Sequence, residues 1–336
     1  MGKLTSRVIR ALKTTVVSTV MFGSLLATPV WAEDTIKAVA AFPKALAFTQ
    51  SFLGFIDEVN KRGEGVVKIE YLGGPEVFPQ NQQMDAVKRG VADMHYGPAS
   101  FHLGTMPEVD AWVGSTVSAM EARANGGFAL MKEAFAEKLG VTLLAHLDSG
   151  IQFHIYTTKE PARTAEGGVN LDGLQLRSQP IYKTFFESLG AVPISVPVPD
   201  VYTGLERNTF DGAGWPIVAI QDLSWDKFLR YRIDPGFFST DLGVVVNPAK
   251  WESLSDESRK ILEEVAAEYE QTSFDAFQAM IAGTDKAVRD GGMTMITLEG
   301  DAAKAYLDSA YESAWGRMKA AGTPRYDALR AAYYNR

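Results

Sequence analysis

From Thr35 onward, short strand-like runs and amphipathic helix-like runs alternate with connections of only a few residues, and no other feature narrows the fold as much. "TIKAVAAF" predicts a strand. "LAFTQSFLGFIDEVNKRG" predicts a helix with Phe48, Phe52, Phe55, Ile56 and Val59 on one side and Gly63 at its end. "GVVKIEYLG" predicts a second strand. "NQQMDAVKRGVADMHYGPAS" repeats the unit: a helix carrying Met84 and Val87, a stop at Gly90, then a strand ending at Tyr96-Gly97-Pro98. Such alternation implies βαβ units and a largely parallel sheet.

Two further strand-like runs, "GVTLLAHLDSG" and "IQFHIYTTK", lie back to back, where the chain is expected to pass into a second lobe. "NLDGLQLRS", a helix opening at Pro180 and "VPISVP" continue the alternation there. "DLGVVVNPAKW" is a buried strand that follows this unit, so the first lobe is expected to be completed by chain that has already visited the second. The expectation is two discontinuous α/β lobes: 33–155 plus about 241–283, and 156–240 plus about 284–336. From Asp256 to Arg289 the helical pattern is unbroken, capped by Ser255 and striped by Ile261, Leu262, Val265, Tyr269, Phe274, Phe277 and Ile281. At 1.5 Å per residue this helix is roughly 50 Å long, enough to brace both lobes.

Residues 1–32 are expected to be an export signal, not fold. Lys3, Arg7, Arg10 and Lys13 form a basic start, an apolar run of about 13 residues follows, and Val30 and Ala32 suit cleavage after Ala32. The run is short of the roughly 20 residues a membrane-spanning helix needs, so an exported, periplasmic, monomeric protein without membrane insertion is expected. Losing four cations and no acid moves the formal charge from −8 to −12. That argues against nucleic acid and anionic membrane surfaces as partners, and an anionic ligand would need a local cation. With no cysteine, disulfides and thiolate chemistry are excluded.

Enzyme chemistry finds little support. No G-x-S-x-G, H-E-x-x-H, Walker loop or dinucleotide fingerprint occurs, and His95, His102, His146 and His154 have no visible pairing. No cofactor or metal is expected. In "DGLQLRSQPIYKTFFESLGA", by contrast, Arg177 stands where a strand gives way to a helix. Ligands of open α/β sheets collect at the carboxyl ends of strands, where a guanidinium fork can grip a carboxylate. Phe42, Tyr96, Tyr182, Trp215 and Phe237 also fall near strand-to-loop junctions, as an aromatic cleft lining would.

The segment around Arg177 resembles the signature region of solute-binding proteins of tripartite ATP-independent periplasmic (TRAP) transporters. Gly173, Leu174, Arg177, Leu189, Gly190, Ala191, Pro193, Val201, Tyr202, Leu205, Asp211, Gly212 and Pro216 match it, and "LGGPEVFPQNQQMDAVKRGVADM" and the long helix extend the likeness over the mature chain. The resemblance implies a two-lobed periplasmic binding protein fold with an interlobe cleft. It also implies capture of a small organic acid for the integral-membrane subunits of a TRAP transporter; a sensory receptor and, more remotely, an exported enzyme are the alternatives. Arg177 aligns with the family arginine that forms a bidentate bridge to the ligand carboxylate.

Two departures carry information. Many members hold a second arginine before the crossing, but residues 150–162 contain none, and either Gln152 or His154 stands in its place. Where an asparagine is common this chain has Trp215, and where keto-acid-binding members carry a metal-serving glutamate it has Gly214. The expected site is Arg177, Trp215, Tyr96, Phe42, Gln152 or His154, and Phe237, taking a monocarboxylate in preference to a dicarboxylate.

Overall fold

The computed structural model describes residues 33–336, so the predicted export signal lies outside the described residues. In chain order the strands are β1 (Asp34–Ala40), β2 (Val67–Gly73), β3 (Met94–Pro98), β4 (Thr142–Leu147), β5 (Phe153–Thr157), β6 (Ala162–Arg163), β7 (Val169–Asn170), β8 (Gln175–Ser178), β9 (Val192–Ser195), β10 (Gly212–Pro216), β11 (Tyr231–Phe237), β12 (Leu242–Val246) and β13 (Thr294–Thr297). They form a five-stranded sheet, β2-β1-β3-β12-β4, a six-stranded sheet, β13-β11-β5-β10-β8-β9, and the small β6-β7 pair. β1 runs parallel to β2 and β3, as the βαβ pattern requires. β12 wedges antiparallel between β3 and β4, closing the first sheet with chain that has just left the second. Because β3 and β12 are central, both faces are covered, and every residue of each is buried.

The helix Ala47–Arg62 buries Phe48, Phe52, Phe55, Ile56 and Val59, and Gly63 ends it. The helix after Arg177 begins as a 3-10 turn at Pro180–Tyr182 and continues over Lys183–Ser188, with Phe185 and Phe186 buried. Proline at the first position costs no hydrogen bond, because that N–H has no partner within a helix.

The long helix spans Asp256–Asp290, 35 residues, with the Ser255 side chain accepting from Ser258 N. Its first half packs on β4 and on Ala47–Arg62. Near its end Asp285 accepts 2.6 Å from Arg232 Nη2, on β11 of the second sheet. One rigid rod thus touches both sheets. Midway, Glu270 is fully buried and binds Arg123 through two bonds of 2.7 Å while accepting 2.8 Å from His146 N. Glu270→Ala would strand the Arg123 guanidinium and the His146 amide. A loss of about 3 kcal/mol in chemical unfolding is expected, in the range for breaking one half of a buried pair.

The chain passes between the sheets three times, the third by way of the long helix, and the first two crossings, between β4 and β5 and between β11 and β12, lie side by side. Thr240 N donates to Ile151 O at 3.0 Å, Gly150 N to Ser239 Oγ at 3.2 Å, and the Thr240 hydroxyl to Asp148 O. Each of these two crossings holds one non-glycine residue in the left-handed region, Asp148 at φ 55° and Phe238 at φ 53°. Such residues persist only where surrounding bonds fix them.

Candidate functional site

Arg177 sits near the carboxyl end of β8, in register with Ala213 of β10 and Ile194 of β9. Two backbone carbonyls set the guanidinium: Nε donates to Val196 O at 3.0 Å and Nη1 to Gly214 O at 3.3 Å. Its carbon lies 5.8 Å from the Trp215 ring centroid and 5.7 Å from that of Trp225, within reach of cation–π attraction. Nη2 has no partner among the described residues, although the side chain is fully buried. Burial lowers the arginine to about 10, which leaves it charged at neutral pH. A buried, protonated nitrogen without an acceptor is costly, and an anion placed against it removes the cost.

The side chain faces a cavity of about 40 Å³. Its walls come from both sheets: Phe42 follows β1, Pro98 ends β3 and Leu242 opens β12, while Arg177, Trp215 and Phe153 come from β8, β10 and β5. It therefore lies at the carboxyl ends of the parallel strands, where open α/β sheets bind ligands. Phe42 packs edge-on to Trp215 at 6.3 Å and tilted to Phe48 at 5.8 Å. Trp215 is fixed by its Nε1, which donates to Val218 O at 3.2 Å. A wider groove of about 540 Å³, rich in proline, adjoins the cavity through Phe101 and Gln179.

Of the residues singled out in the sequence, Arg177, Trp215, Phe42 and Tyr182 line this cavity, and Tyr96, Gln152, His154 and Phe237 do not. Side chains alternate along a strand. With Phe153 of β5 facing the cavity, Gln152 and His154 turn the other way. His154 places Nδ1 3.1 Å from Ile233 O and 2.9 Å from Asp234 Oδ1, and Gln152 is exposed beside Gly236. Neither stands beside Arg177. Tyr96 shares the face of Pro98 but lies deeper in β3, stacked on Phe52 at 4.8 Å with its hydroxyl donating to Asp148. Phe237 belongs to an aromatic core with Phe185 at 4.8 Å and Tyr182 at 6.0 Å.

Sequence reasoning missed Asp241, Thr240 and Ser100 on the cavity wall. Asp241 is buried, its Oδ2 accepts 2.5 Å from Ser100 N, and burial pushes its carboxyl up to about 6 against the Ser100 amide and hydroxyl. Among the described residues that line the cavity, Arg177 is the one cation and Asp241 the one acid. At Gly214 an added Cβ would lie 2.8 Å from Phe186 Cζ and 3.0 Å from Tyr182 Cδ2. The aromatic pair fills the space that a glutamate at this position would occupy.

Proteins similar to this chain include two curated relatives and a solved structure. The 2,3-diketo-L-gulonate-binding periplasmic protein YiaO of Escherichia coli K12 is 25% identical over 221 residues, covering 64% of this chain and 66% of that protein. The C4-dicarboxylate-binding periplasmic protein DctP of Rhodobacter capsulatus is 22% identical over 223 residues, covering 64% and 65%. The chain thus spans just under two thirds of the length of each. The crystal structure of DctP7, a Bordetella pertussis extracytoplasmic solute receptor binding pyroglutamic acid, superposes with a TM-score of 0.78 at 19% identity, covering 90% of this chain and 99% of that one. The likeness in structure carries the two-lobed α/β fold. The model of bacterial extracellular solute-binding proteins, family 7 (DctP), matches residues 43–320, and the chain belongs to that family.

Proposed function

We propose that this protein is an extracytoplasmic receptor that captures a small monocarboxylate between its lobes and delivers it to the membrane subunits of a TRAP-type transporter. The observation that carries the reading is Arg177: a fully buried cation at a strand's carboxyl end, on the wall of the interlobe cavity, with one nitrogen that has no partner among the described residues. Trp215 and Phe42 supply apolar walls, and Tyr96, Phe237, Gln152 and His154 support the walls and crossings from behind. Family membership alone does not choose the acid, since relatives are named for a sugar acid, a C4-dicarboxylate and pyroglutamic acid. The cavity lining supports a monocarboxylate. A second carboxylate would be desolvated among aromatic rings with no second cation to meet it.

The lobes are proposed as 33–155 plus about 241–283 and 156–240 plus about 284–336, with two adjustments: β5 pairs in the second sheet, which moves the first boundary to the crossing at Asp148–Gln152, and the last helix, Tyr326–Tyr333, returns to pack on the first lobe. Closure is driven by the ligand touching both lobes, because a ligand shifts an equilibrium only by its differential affinity. The protein works as an exported monomer, cleaved after Ala32, that binds without turnover.

A thermal-shift screen over a carboxylate library tests the reading. A true ligand at a hundred times its dissociation constant should add about 2.7 kcal/mol to stability and be recovered unchanged. Succinate and malate should give no submicromolar binding. Tight binding of either would sink the monocarboxylate assignment.

A further inference from the structure

We infer that the ligand carries a hydrogen-bond donor, an N–H or O–H, as well as its carboxylate, and that Asp241 is the residue that selects for it. The inference rests on the reading of Arg177 as carboxylate anchor and extends it to the opposite pole of the same cavity. Asp241 ends the second crossing, immediately before β12 of the first sheet, whereas Arg177 belongs to β8 of the second. A ligand held by both therefore spans the two lobes.

Charge and hydrogen-bond counting lead to the donor. An ionised carboxylate offers about four lone-pair positions. The Asp241 side chain accepts 2.5 Å from Ser100 N, and the Ser100 hydroxyl is a further local donor, which leaves part of that capacity open to a ligand. Its carboxyl, at about 6, is charged at neutral pH. Arg177 and Asp241 together leave the cavity wall neutral, so a bare monoanion would bring an uncompensated negative charge into a buried space, with Asp241 short of donors. An ammonium directed at Asp241 resolves both problems, whereas a lactam N–H or hydroxyl supplies the missing donor and leaves the charge as it was. A second ligand carboxylate would meet a fixed carboxylate in a buried space and be repelled. Phe42, Phe48, Pro98 and Trp215 offer no acceptor side chain, and the other polar side chains of the wall, Ser100, Gln179, Tyr182 and Thr240, are neutral, so Asp241 is the one charged acceptor a donor meets there.

Matched pairs differing only in the donor test this by calorimetry: pyroglutamate against cyclopentanecarboxylate, L-lactate against propionate, and L-alanine against propionate, with succinate alongside. In the wild-type protein the donor-bearing member of at least one pair should bind tenfold or more tighter. Asp241→Asn, which keeps an acceptor for Ser100 N, should cut that preference below threefold, leave the donor-free member within threefold and strengthen succinate. Donor-free members binding within threefold of their partners in every pair would overturn the inference while leaving the Arg177 anchor standing. That measurement needs no variant. No binding of any pair member, with Arg177→Met equally silent, would overturn the anchor and the inference together.

Discussion

Arg177→Ala and Arg177→Lys are expected to abolish carboxylate binding, by on the order of a thousandfold or more, while the ligand-free protein keeps its fold. The binding loss follows from one geometric fact. The guanidinium is fully buried on the cavity wall, two of its nitrogens are held by Val196 O and Gly214 O, and the third has no partner among the described residues. A ligand carboxylate there forms charge-assisted bonds in a medium that screens little, worth about 3 to 5 kcal/mol when one member of such a buried pair is removed. Lysine restores charge but not the fork, and an ammonium satisfied by Val196 O has no second rigid donor to offer the ligand. Stability should behave differently. An unpaired buried cation costs free energy in the empty protein, and its removal offsets the two lost bonds to carbonyls. We therefore expect unfolding of Arg177→Met without ligand to stay within about 1 kcal/mol of wild type. Calorimetric titration beside urea unfolding separates the two effects, and a variant that binds within threefold of wild type would refute the anchor.

The same site shows which signals are local and which are not. Arg177, Trp215 and Phe42 were legible because strand ends can be read from composition: an apolar run stops and a turn or helix signal begins. Gln152 and His154 stood at an equally plausible strand start, yet only the pairing of β5 with β10 and β11 decides which parity faces the cavity. That pairing is set by residues about sixty to eighty positions away, and a one-residue change of parity moves a side chain to the opposite face. Phe237 and Tyr96 lie off the cavity wall for a related reason. A strand-end aromatic can face the cleft or the core behind it, and the helix Lys183–Ser188 supplies the core that claims Phe237 through Phe185. Asp241 gave no signal at all, since an aspartate before an apolar run reads as an ordinary turn residue. The fold was more transparent because it rests on period: βαβ alternation forced the parallel pairs, and the late apolar run "LGVVV" needed a sheet in which both its faces were covered.

Gly212→Ala is expected to destabilise the protein by about 3 kcal/mol or more, although it adds one methyl group. Glycine here answers no demand of backbone angle; the reason is closeness. β10 lies between β5 and β8, and a Cβ at 212 would sit 2.2 Å from Tyr156 O, 2.9 Å from Leu176 Cδ2 and 3.1 Å from the Thr157 Cα. Two of those atoms are backbone and cannot rotate away. Asp211 tightens the same junction: its N donates to Gln175 O at 2.6 Å, its Oδ2 accepts from Gln175 N at 2.9 Å, and its carbonyl accepts from Thr158 N at 2.8 Å. The methyl group must therefore part β10 from β5, carrying Gly214 O and Trp215 with it and releasing the Nη1 clamp on Arg177. Affinity should fall together with stability, by tenfold or more for any carboxylate the wild type binds. Gly173→Ala provides the contrast. That glycine is at φ 74° with nothing within 4 Å of an added Cβ, so the cost reduces to left-handed backbone strain, about 1 to 2 kcal/mol, with binding unchanged. If urea unfolding placed the two variants at equal stability, the close approach of β10 to β5 would not be the reason for glycine at 212.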